Sequence, residues 1–549
     1  MAKDDLPVDS WTEHVTEAST SKTDQHIEGN ALLVDKHGKV RRLPVPSSDP
    51  NDPLNWKRWE KYAVIFCCCW FSVMSLALAG GLGAILDVFF ALYGPQGYDA
   101  SDITLLLTLP SLCIGLGNYI ILPLSLAFGR RPIFLVSTVI LLGATIGAAA
   151  QDSYNGHLTA RVIQGLATGA SESLLPLMLT EVTFLHERGQ VFGLYWMTQS
   201  IFSSLLNLAS SYEAAALGWR WYYWIFAITV AAGLVFAVFG AFETKFSRPA
   251  TSLDGCVCYT DEFGVAHVIP DNEAQEFLDR MGIQLPDDNA AETPRVRTAY
   301  GQKLKPWSKP HPQPARMVVM SWVRMASSLT SPAILYAVLM SSIALACSID
   351  ISLTYNTVLL GYGWQPKDIG LINLGAVVGA LIGTAYCSTF GEWLVIRMAK
   401  RNRGVHKPEH RLLVLVIPGI LGIAMLVMYG YTAVGAKSYW GAVLGWTFFQ
   451  TTFVCVLIVS TTFAAEAYPK HPGPALVVVV GTKNVVSFGA TFGFTPLMAS
   501  LGSMNGAFNV LAGIFGAIFV LGLPVYVFNP RWREKISRME QKRGVEASD

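Results

Sequence analysis

Long apolar runs recur along most of this 549-residue chain and are separated by polar segments. A helix needs about twenty mostly apolar residues to cross the hydrocarbon core of a bilayer, so each run predicts a membrane-spanning helix. The predicted spans begin near Tyr62, Ser101, Pro132, Leu158, Gln190 and Trp221, and then near Pro332, Asp368, Leu412, Tyr439, Pro474 and Met504. The pattern therefore predicts an all-α integral membrane fold with twelve spans in two groups of six.

Polar stretches divide the chain around these two groups. We predict a disordered cytosolic N-terminal tail at 1–60, a six-helix bundle at 61–244, a cytosolic linker at 245–330, a second six-helix bundle at 331–528 and a cytosolic C-terminal tail at 529–549. The first tail is polar, acidic and rich in Ser and Thr, and it has neither the basic segment nor the cleavage site of a signal peptide.

The linker contains no apolar run long enough to cross a membrane and is rich in proline near its end. Within it, apolar residues flank a Phe-Gly turn at Tyr259–Pro270. This segment predicts a small hairpin, to which we assign no chemistry.

The composition agrees with a membrane protein. Apolar residues make up 52% of the chain and charged residues only 14%, whereas soluble domains carry about 25% charged residues. A soluble fold of this size could not bury that much apolar surface. The formal net charge of +1 gives no reason to expect a nucleic-acid partner.

Motifs of enzymes and metal sites are missing from the sequence. The nine cysteines lie mostly in apolar runs, and their spacing matches neither a disulfide framework nor a zinc site. No Gly-rich phosphate loop, metal-spaced His cluster or nucleophile elbow occurs. We therefore expect no enzymatic activity, no catalytic residue, no metal and no cofactor, and any active transport must use an ion gradient.

The distribution of Lys and Arg predicts the orientation, because cytosolic loops carry an excess of both residues. One set of loops holds Arg130, Arg131, Arg188, Lys470, a cluster from Arg397 to Arg411 and a basic tail from Arg531 to Arg543. The other set holds little beyond Arg220, Lys367 and Lys437. This asymmetry places both termini and the linker in the cytosol.

Three motifs carry a family resemblance. FGRRP stands at Phe128–Pro132 between spans 2 and 3, LTARVIQGLATG at Leu158–Gly169 in span 4, and DPNDPLNW at Asp49–Trp56 before span 1. With this layout, the sequence resembles the major facilitator superfamily, and the fungal twelve-span drug:H⁺ antiporter group is the closest match. The resemblance implies the major facilitator fold and proton-coupled transport.

The sequence departs from the family pattern at two places. In the loop between spans 2 and 3, Pro123 and Ala127 stand near the positions where the family has Gly and Asp, so the acidic partner of the basic pair must come from elsewhere. In span 5, Ile201–Tyr212 contains neither Gly nor Pro, although antiporters usually have a Gly-Pro-rich kink there.

Span 4 carries a polar stripe. At 100° per residue, Gln164, Gly165, Thr168 and Glu172 lie within about 60° of Arg161 around the helix. A charge that faces lipid costs at least about 2.5–3.5 kcal/mol, so we expect the stripe to face a cavity or another polar helix. Arg161 and Glu172 lie about 16 Å apart along the axis, too far for a direct pair.

Pro176 has no N–H, so the carbonyl of Glu172 loses its helical partner. One interpretation makes Glu172 the carboxylate that carries protons and binds cations; the alternative makes it a protonated or hydrogen-bonded packing residue. For Arg161, the family resemblance implies a role in proton coupling. Structural anchoring by backbone carbonyls is the alternative.

A cytosolic gate is predicted at the ends of spans 4 and 10. Glu181 lies about 200° around the helix from Arg161, off the stripe, and we expect it to pair with Arg130 and Arg131. The second half repeats this arrangement, with Glu466 opposite the basic cluster that includes Arg397 and Arg401. For both glutamates, gating or structure is favoured over contact with substrate.

Further polar and aromatic residues lie within the predicted spans. Such residues at paired positions of two repeats typically line a midplane site. The candidates for the cavity are Tyr195, Gln199 and Asn207 in span 5, Asp350 in span 7, Trp446 and Phe449 in span 10, and Lys483 and Asn484 in span 11. Asp350 and Lys483 could instead neutralise each other.

These observations predict a secondary active transporter, a monomer in the lipid bilayer that exports small organic molecules such as drugs, toxins, secondary metabolites or polyamines in exchange for protons. The plasma membrane is the expected location and the vacuolar membrane the alternative. Proton-coupled uptake of a sugar or another nutrient is a second hypothesis, because span 4 also resembles the sugar-porter pattern. A membrane sensor without transport is a third.

Overall fold

The structure is a computed structural model, and it describes residues 45–246, 248, 251–253, 256–260, 266–270, 297–402, 407–435, 438–467 and 472–546. Helices dominate these residues. Each of the twelve apolar runs forms a helix, which confirms the predicted all-α membrane fold of two six-helix bundles.

The first bundle begins at Arg58, and its first two spans are joined by short helices at Gly81–Ile85, Leu86–Tyr93 and Gly94–Gln96. Span 5 shows the largest difference from the expected starting points, since it was predicted from Gln190 and begins at Leu185. The spans are span 1 (Arg58–Gly80), span 2 (Ala100–Phe128), span 3 (Arg130–Ala150), span 4 (Tyr154–Thr168 and Leu174–Val182), span 5 (Leu185–Leu217) and span 6 (Trp219–Gly240).

The second bundle follows a linker that includes short helices at Tyr300–Lys303 and Pro314–Ser328. Several of its spans are built from consecutive helical pieces, and span 8 contains a π-helical turn at Cys387–Gly391. The spans are span 7 (Pro332–Gly361), span 8 (Pro366–Leu371, Ile372–Tyr386 and Glu392–Arg401), span 9 (Pro408–Leu415 and Val416–Ala433), span 10 (Trp440–Ala467), span 11 (Pro472–Leu501) and span 12 (Met504–Val520, continued by Gly522–Glu546).

By length and composition, ten of the described helices are apolar enough to cross a membrane. Span 4 and span 5 are the two others. Span 4 is interrupted and carries Arg161 and Glu172, and span 5 has many hydroxyl and amide side chains. Polar side chains in these two helices are expected to face other helices and not lipid.

Each bundle has its own apolar core. The most extensive contacts between bundles join span 2 to span 11 and span 5 to span 8. Glycines permit the close approach: a Cβ atom on Gly115 would lie 2.7 Å from the carbonyl oxygen of Gly481, and one on Gly370 would lie 2.3 Å from that of Leu208. Small residues at such contacts are typical of membrane helix packing.

The residues just before span 1 contact the linker, although the sequence analysis included them in a disordered tail. Pro53–Asn55 form a short 3₁₀ helix, which the Asp52 side chain caps by accepting from the N–H of Leu54. The buried Asp52 carboxylate also pairs with Arg248 at 2.8 Å. Burial acts to raise the pKa of Asp52, but the hydrogen bonds and charge of Arg248 lower it below its ordinary value.

The linker contains a small antiparallel sheet of β1 (Thr251–Leu253), β2 (Cys256–Thr260) and β3 (Ala266–Pro270), in the order β1-β2-β3. Strands β2 and β3 pair from Cys256 opposite Pro270 to Thr260 opposite Ala266. The predicted hairpin within Tyr259–Pro270 is therefore confirmed, and it extends further toward the N-terminus than the sequence pattern indicated.

The helix Pro314–Ser328, called the linker helix below, packs against spans 2 and 11. It buries Met317, Ser321 and Met325, which follow one another at intervals of one turn. The indole Nε1 of Trp322 donates to the carbonyl of Tyr119 in span 2 at 2.8 Å. The end of the molecule where the linker lies is called the linker side, and the opposite end the distal side.

Candidate functional site

Span 4 is broken in its middle. The first helix ends at Thr168, a 3₁₀ turn covers Gly169–Ser171, and the second helix begins at Leu174. Pro176 contributes to this break because it offers no N–H to the carbonyl of Glu172. Gly169 packs so closely on span 2 that a Cβ atom there would lie 2.7 Å from the backbone nitrogen of Asn118. The break therefore holds Glu172 near mid-membrane, next to span 11.

The Glu172 carboxylate joins the two bundles. Lys483 of span 11 donates to its Oε1 at 2.9 Å, and Asn484 Nδ2 donates to its Oε2 at 2.5 Å. The side chains of Glu172 and Lys483 are only 6% and 3% exposed. The structure thus brings together three of the predicted cavity residues, and the alternative pairing of Lys483 with Asp350 does not occur.

Arg161 is fully buried and is held by backbone carbonyls. Its guanidinium donates to Leu78 at 2.9 Å, Ala79 at 2.7 Å and Leu106 at 2.9 Å, and to Gln164 Oε1 at 3.0 Å. Leu78 and Ala79 are in the last turn of span 1, where helical carbonyls lack intrahelical partners and a positive charge is favourable. These contacts agree with the alternative in which backbone carbonyls anchor Arg161.

The rest of the polar stripe is also satisfied within the first bundle. Gln164 Nε2 donates to the carbonyl of Ala144 in span 3 at 3.4 Å, and Thr168 Oγ1 donates to the carbonyl of Gln164 at 2.7 Å. Both side chains are buried. Of the two expected surroundings, a cavity or another helix, the distal part of the stripe has the second, because it packs against spans 1, 2 and 3.

Span 5 contributes polar side chains that face its neighbours in the first bundle. Tyr195 is fully buried and donates to the carbonyl of Ser171 in the break of span 4 at 2.5 Å. Gln199 accepts from Ser72 Oγ of span 1 at 2.9 Å. With its amide nitrogen turned toward the neighbouring carbonyls, Asn207 donates to the carbonyl of Ala77 at 3.0 Å. Tyr195 therefore supports the break that positions Glu172.

The aromatic candidates of span 10 have different surroundings. The Trp446 ring lies 6.0 Å from the ring of Tyr355 in span 7, and its Nε1 has no hydrogen-bond partner among the described residues. Phe449 is fully buried in the core of the second bundle, with its ring 6.1 Å from that of Phe515 in span 12. In this conformation the core encloses the ring of Phe449, so Phe449 does not line a cavity.

Asp350 lies in the distal half of span 7 and is completely buried. Neither of its carboxyl oxygens has a hydrogen-bond partner in the described part of the chain. The hydroxyl of Thr491 in span 11 lies beside this carboxyl. An intramembrane carboxyl group in such surroundings is a candidate functional residue.

The predicted ion pair at the end of span 4 forms with one of its two arginines. Arg130 pairs with Glu181 at 2.7 Å, and Thr244 also donates to this carboxylate at 2.5 Å. Arg131 instead donates to backbone carbonyls at the end of span 6 and in the linker, among them Val238 at 2.7 Å and Leu304 at 3.0 Å. The predicted pairing of Glu181 with Arg131 is wrong, because adjacent side chains on a helix point about 100° apart.

Glu243, which the sequence analysis did not assign, supplies the missing acidic group. It accepts from the backbone N–H of Arg130 at 3.0 Å and of Arg131 at 3.3 Å, and Ser308 of the linker donates to it. Its charge thus caps the positive N-terminal end of span 3. Its position directly after span 6 is the signal that the sequence offered.

The second bundle has a comparable ion pair with a different arginine. Glu466 pairs with Arg411 in the first turns of span 9 at 2.6 Å. Arg397 lies over the ring of Trp393 at 5.3 Å, and Arg401 is exposed. Within the predicted cluster from Arg397 to Arg411, the partner of Glu466 is Arg411, and neither Arg397 nor Arg401 is placed against it, because span 9 packs directly against span 10.

The distal ends of the bundles are in contact. Asn356 of span 7 donates to Asp87 at 2.9 Å, and a Cβ atom on Gly83 would lie 2.4 Å from Ser352 Oγ. Tyr212 of span 5 donates to Asp368 in the first turn of span 8 at 3.1 Å. These contacts close the space between the bundles on the distal side. The Arg130–Glu181 and Arg411–Glu466 pairs, by contrast, each lie within one bundle.

A model of the Major Facilitator Superfamily matches residues 62–471. The chain belongs to this superfamily. Its two six-helix bundles and its inter-bundle contacts are therefore those of a major facilitator transporter, and the protein is a multi-pass membrane transporter and not an enzyme.

Fungal proteins resemble this transporter over nearly its whole length. An uncharacterized MFS-type transporter of Schizosaccharomyces pombe is 25% identical and is matched over 93% of this chain and 91% of its own. Protein HOL1 of Saccharomyces cerevisiae is 24% identical over 93% of each chain. The efflux pump radE of Floropilus chiversii is 23% identical over 96% of this chain and 89% of its own.

Solved structures resemble this transporter in fold alone. A POT family transporter in complex with 5-aminolevulinic acid superposes with a TM-score of 0.59 at 12% sequence identity, and the match covers 88% of this chain and 99% of that chain. A POT family transporter with a thioalcohol-conjugated peptide gives a TM-score of 0.58 at 13% identity, with the same coverage.

Proposed function

We propose that this transporter exports small organic molecules in exchange for protons and that Glu172 couples the two movements. The single observation that carries the proposal is the Glu172–Lys483–Asn484 cluster, a buried ion pair that joins the bundles near mid-membrane. Relatives named as efflux pumps support the direction of transport. The candidate substrates are drugs, toxins, secondary metabolites and polyamines.

If the bundles move apart, the charges of Glu172 and Lys483 are separated. Removing one partner of a buried ion pair costs about 3–5 kcal/mol, because the other charge is left uncompensated. Glu172 and Lys483 can therefore separate readily only if another group compensates each charge. A proton on Glu172 neutralises the carboxylate, and a cationic group of a substrate could replace Lys483 beside it.

Competition at one carboxylate gives exchange. When Glu172 binds a proton, a cationic substrate loses its counter-charge and dissociates; when the proton leaves, the carboxylate can bind the next cation. Competition between a proton and a cation for Glu172 favours substrates that are organic molecules with a basic nitrogen. Trp446 and Tyr355 would supply aromatic surface for such a cation, since aromatic faces attract positive charge.

One proton supplies enough free energy for useful export. A charge moving through 100 mV contributes about 2.3 kcal/mol, and each pH unit of gradient adds about 1.4 kcal/mol. A proton that also moves down two pH units could therefore maintain a gradient of roughly a few thousand-fold for a neutral substrate. For a monovalent cation the gradient is about a hundredfold, because exchange of one cation for one proton moves no net charge and only the pH gradient contributes. A single switchable carboxylate is sufficient for this coupling.

The proposed orientation places the linker side in the cytosol and the distal side outside the cell. The basic residues near the linker-side ends support this orientation through the positive-inside rule. In this orientation the contacts between Asn356 and Asp87 close the outer side. We propose a monomer in the plasma membrane, and the vacuolar membrane is the alternative that localisation of a tagged full-length chain would identify.

The test uses the full chain in a fungal host that lacks its own exporters, exposed to a panel of cationic and neutral organic compounds. Once a compound is found, purified protein in proteoliposomes is assayed with and without a pH gradient. Glu172→Gln should abolish proton-driven accumulation but retain downhill substrate exchange, because the amide cannot carry the proton. Glu392→Gln, an exposed glutamate at the linker-side end of span 8, is the control.

Two results would contradict the proposal. If Glu172→Gln still builds a substrate gradient that collapses when a protonophore is added, another group carries the proton. If the wild-type protein moves its substrate only toward the cytosol, the direction of transport is wrong, and uptake of a nutrient becomes the better hypothesis.

A further inference from the structure

Hydroxyl groups line the contact between spans 2 and 11 in its distal half, called the seam below. They surround a cavity of about 40 Å³ that lies apart from the Glu172 cluster. Its polar lining consists of Ser101, Thr104 and Thr108 from span 2 and Thr491 and Thr495 from span 11. Ser101 is exposed and Thr108 is buried, so the hydroxyls lead from the distal surface into the protein.

Two buried groups along the seam have unused hydrogen-bonding capacity. Thr491 is 1% exposed, and its hydroxyl has no hydrogen-bond partner within the described residues. Asp350 of span 7, which packs along span 11, likewise has two buried carboxyl oxygens without a partner within the described residues. Buried polar groups are rarely left unsatisfied, and water is their usual partner when protein atoms are not available.

The row of polar groups continues inward from the cavity. Ser111 Oγ of span 2 lies 3.4 Å from Ser487 Oγ of span 11, and Ser487 donates to the carbonyl of Asn484 at 3.0 Å. Asn484 in turn donates to Glu172. Polar groups therefore follow the seam from the distal surface, past Asp350, to the carboxylate to which we assign the coupling.

We propose that the seam is a water-filled path that carries protons between the distal side and Asp350, and onward to Glu172, separately from the route of the substrate. The inference rests on the proposed proton coupling and identifies where the proton enters. A cavity of about 40 Å³ has room for water, which needs about 10–15 Å³ of such volume, and its hydroxyls supply the two to four polar partners that a buried water requires.

The chemical step is a simple proton transfer. A hydronium ion in the cavity gives its proton to the Asp350 carboxylate, which leaves a water molecule and a neutral carboxyl group. The reverse transfer, to water on the Glu172 side, regenerates the carboxylate. Hydroxyl side chains can accept and donate at the same time, so they can hold a chain of waters in the orientation that such transfers need.

The charged and titratable groups around Asp350 are consistent with this role. Lys483 is the lysine of span 11, and it is paired with Glu172 at 2.9 Å. On the side of span 1, Asp87 accepts a hydrogen bond from Asn356. Cys347 is the neighbouring titratable group on the helix of Asp350 itself. Spans 2 and 10 have no charged side chain near mid-membrane, so neither of these spans offers Asp350 a counter-charge.

The experiment uses the full-length protein in proteoliposomes with a pH-sensitive dye inside. Thr491→Val removes the hydroxyl and keeps the shape, and Thr491→Ser keeps the hydroxyl. We expect Thr491→Val to slow substrate-driven proton movement about tenfold, the factor that loss of one hydrogen bond corresponds to, and Thr491→Ser to remain near wild type. Thr145→Val, a buried hydroxyl of span 3 that donates to Leu141, is the matched control.

A second readout separates this role from a structural one. Substrate exchange at equal pH on both sides needs no net proton entry, so Thr491→Val should leave it unchanged. Asp350→Asn should slow proton movement at least as much as Thr491→Val, again with exchange retained. If Thr491→Val does not fold, Thr108→Val tests the same cavity from span 2.

The possible failures are distinguishable. If wild-type protein transports a substrate without moving protons, the proposed function itself fails. If wild-type protein couples to protons but the valine variants and Asp350→Asn move protons at the wild-type rate, the coupling stands and the seam is not the path. Equal loss of proton movement and of exchange in Thr491→Val would show that Thr491 only supports the packing of spans 2 and 11.

Discussion

Two buried ion pairs involve a glutamate of span 4, and they differ in what they join. Glu181 pairs with Arg130 inside the first bundle, with additional support from Thr244. Glu172 pairs with Lys483 across the interface between the bundles. Both pairs are nearly inaccessible to water, so burial alone does not distinguish them.

The difference lies in what must happen to each pair when the bundles move. Rigid-body motion of one bundle against the other leaves the distance between Arg130 and Glu181 unchanged, whereas it stretches the pair formed by Glu172 and Lys483. A pair within a bundle can therefore stabilise the fold throughout a transport cycle. A pair between bundles can control the cycle, because its charges must be compensated before it opens.

Lys483→Met is the substitution with the largest expected effect on this comparison. It leaves the buried Glu172 carboxylate with Asn484 but without its counter-charge. Proton-driven transport should fall roughly a hundredfold, since removing one partner of a buried pair costs about 3–5 kcal/mol. The measurement is substrate accumulation in proteoliposomes under a pH gradient.

Lys303→Met provides a matched control for this loss of a lysine. Lys303 pairs with Glu60 at 2.9 Å, but Glu60 also keeps Arg297 at 2.6 Å, so its charge stays compensated. This variant should transport normally. If the Lys483→Met variant accumulated substrate as well as the wild type does, the inter-bundle pair would be only a packing feature. The distinction between the two pairs would then have no functional meaning.

The spans were predictable from the sequence because a bilayer imposes a length of about twenty apolar residues on every helix. The intramembrane charges were predictable for the same reason, since Glu172, Asp350 and Lys483 stand out in apolar surroundings. Pro176 indicated only that the carbonyl of Glu172 would lose its helical partner, whereas the structure interrupts span 4 at Gly169–Ser171. Helical periodicity then separated Glu181 from the stripe of Glu172, and the structure gives the two glutamates different partners.

Partner choice was not predictable, because periodicity defines the faces of a helix but not which helix lies opposite. Lys483 had two candidate acidic partners, Glu172 and Asp350. The packing of spans 2, 4 and 11 brings it to Glu172. The same limit explains why Arg411 could not be singled out from its basic cluster as the partner of Glu466. The polar row from Ser101 to Ser487 was also missed, since hydroxyls at helical spacing lack the contrast of a charge.

Glu181→Gln tests the other half of the comparison. The amide removes the charge that compensates Arg130, so the free energy of unfolding should fall by about 3 kcal/mol and the melting temperature by several degrees. Substrate affinity should stay within a few-fold of wild type, although the transport rate changes. Thermal unfolding in detergent and equilibrium substrate binding measure the two effects.

Glu466→Gln is the companion variant in the second bundle. The side chains of Arg411 and Glu466 are 27% and 30% exposed, so water screens their charges and the loss of stability should be smaller. A large loss of substrate binding in Glu181→Gln with normal stability would instead place Glu181 in the cavity and contradict its assignment as a pair within one bundle.

Asp52→Asn should have the smallest effect on transport, because it extends the comparison to a pair outside the spans. Asp52 pairs with Arg248, which also donates to the carbonyl of Glu181, so this pair joins the segment before span 1 to the gate of the first bundle. Burial acts to raise the pKa of Asp52, but the hydrogen bonds and charge of Arg248 lower it below its ordinary value of 3.8. A lowered pKa means that the folded protein favours the charged form.

The stability that Asp52 contributes is therefore present above its ordinary pKa, near pH 4, and is lost as the pH falls through the lower pKa of the folded state. At neutral pH, Asp52→Asn should lower the free energy of unfolding by about 1–2 kcal/mol, because the amide oxygen can still accept from Arg248. The difference in melting temperature between wild type and variant should shrink as the pH falls from 5 to about 3. A difference that stays constant over this interval would mean that the carboxylate charge contributes nothing and that the side chain acts only as a neutral cap for Leu54.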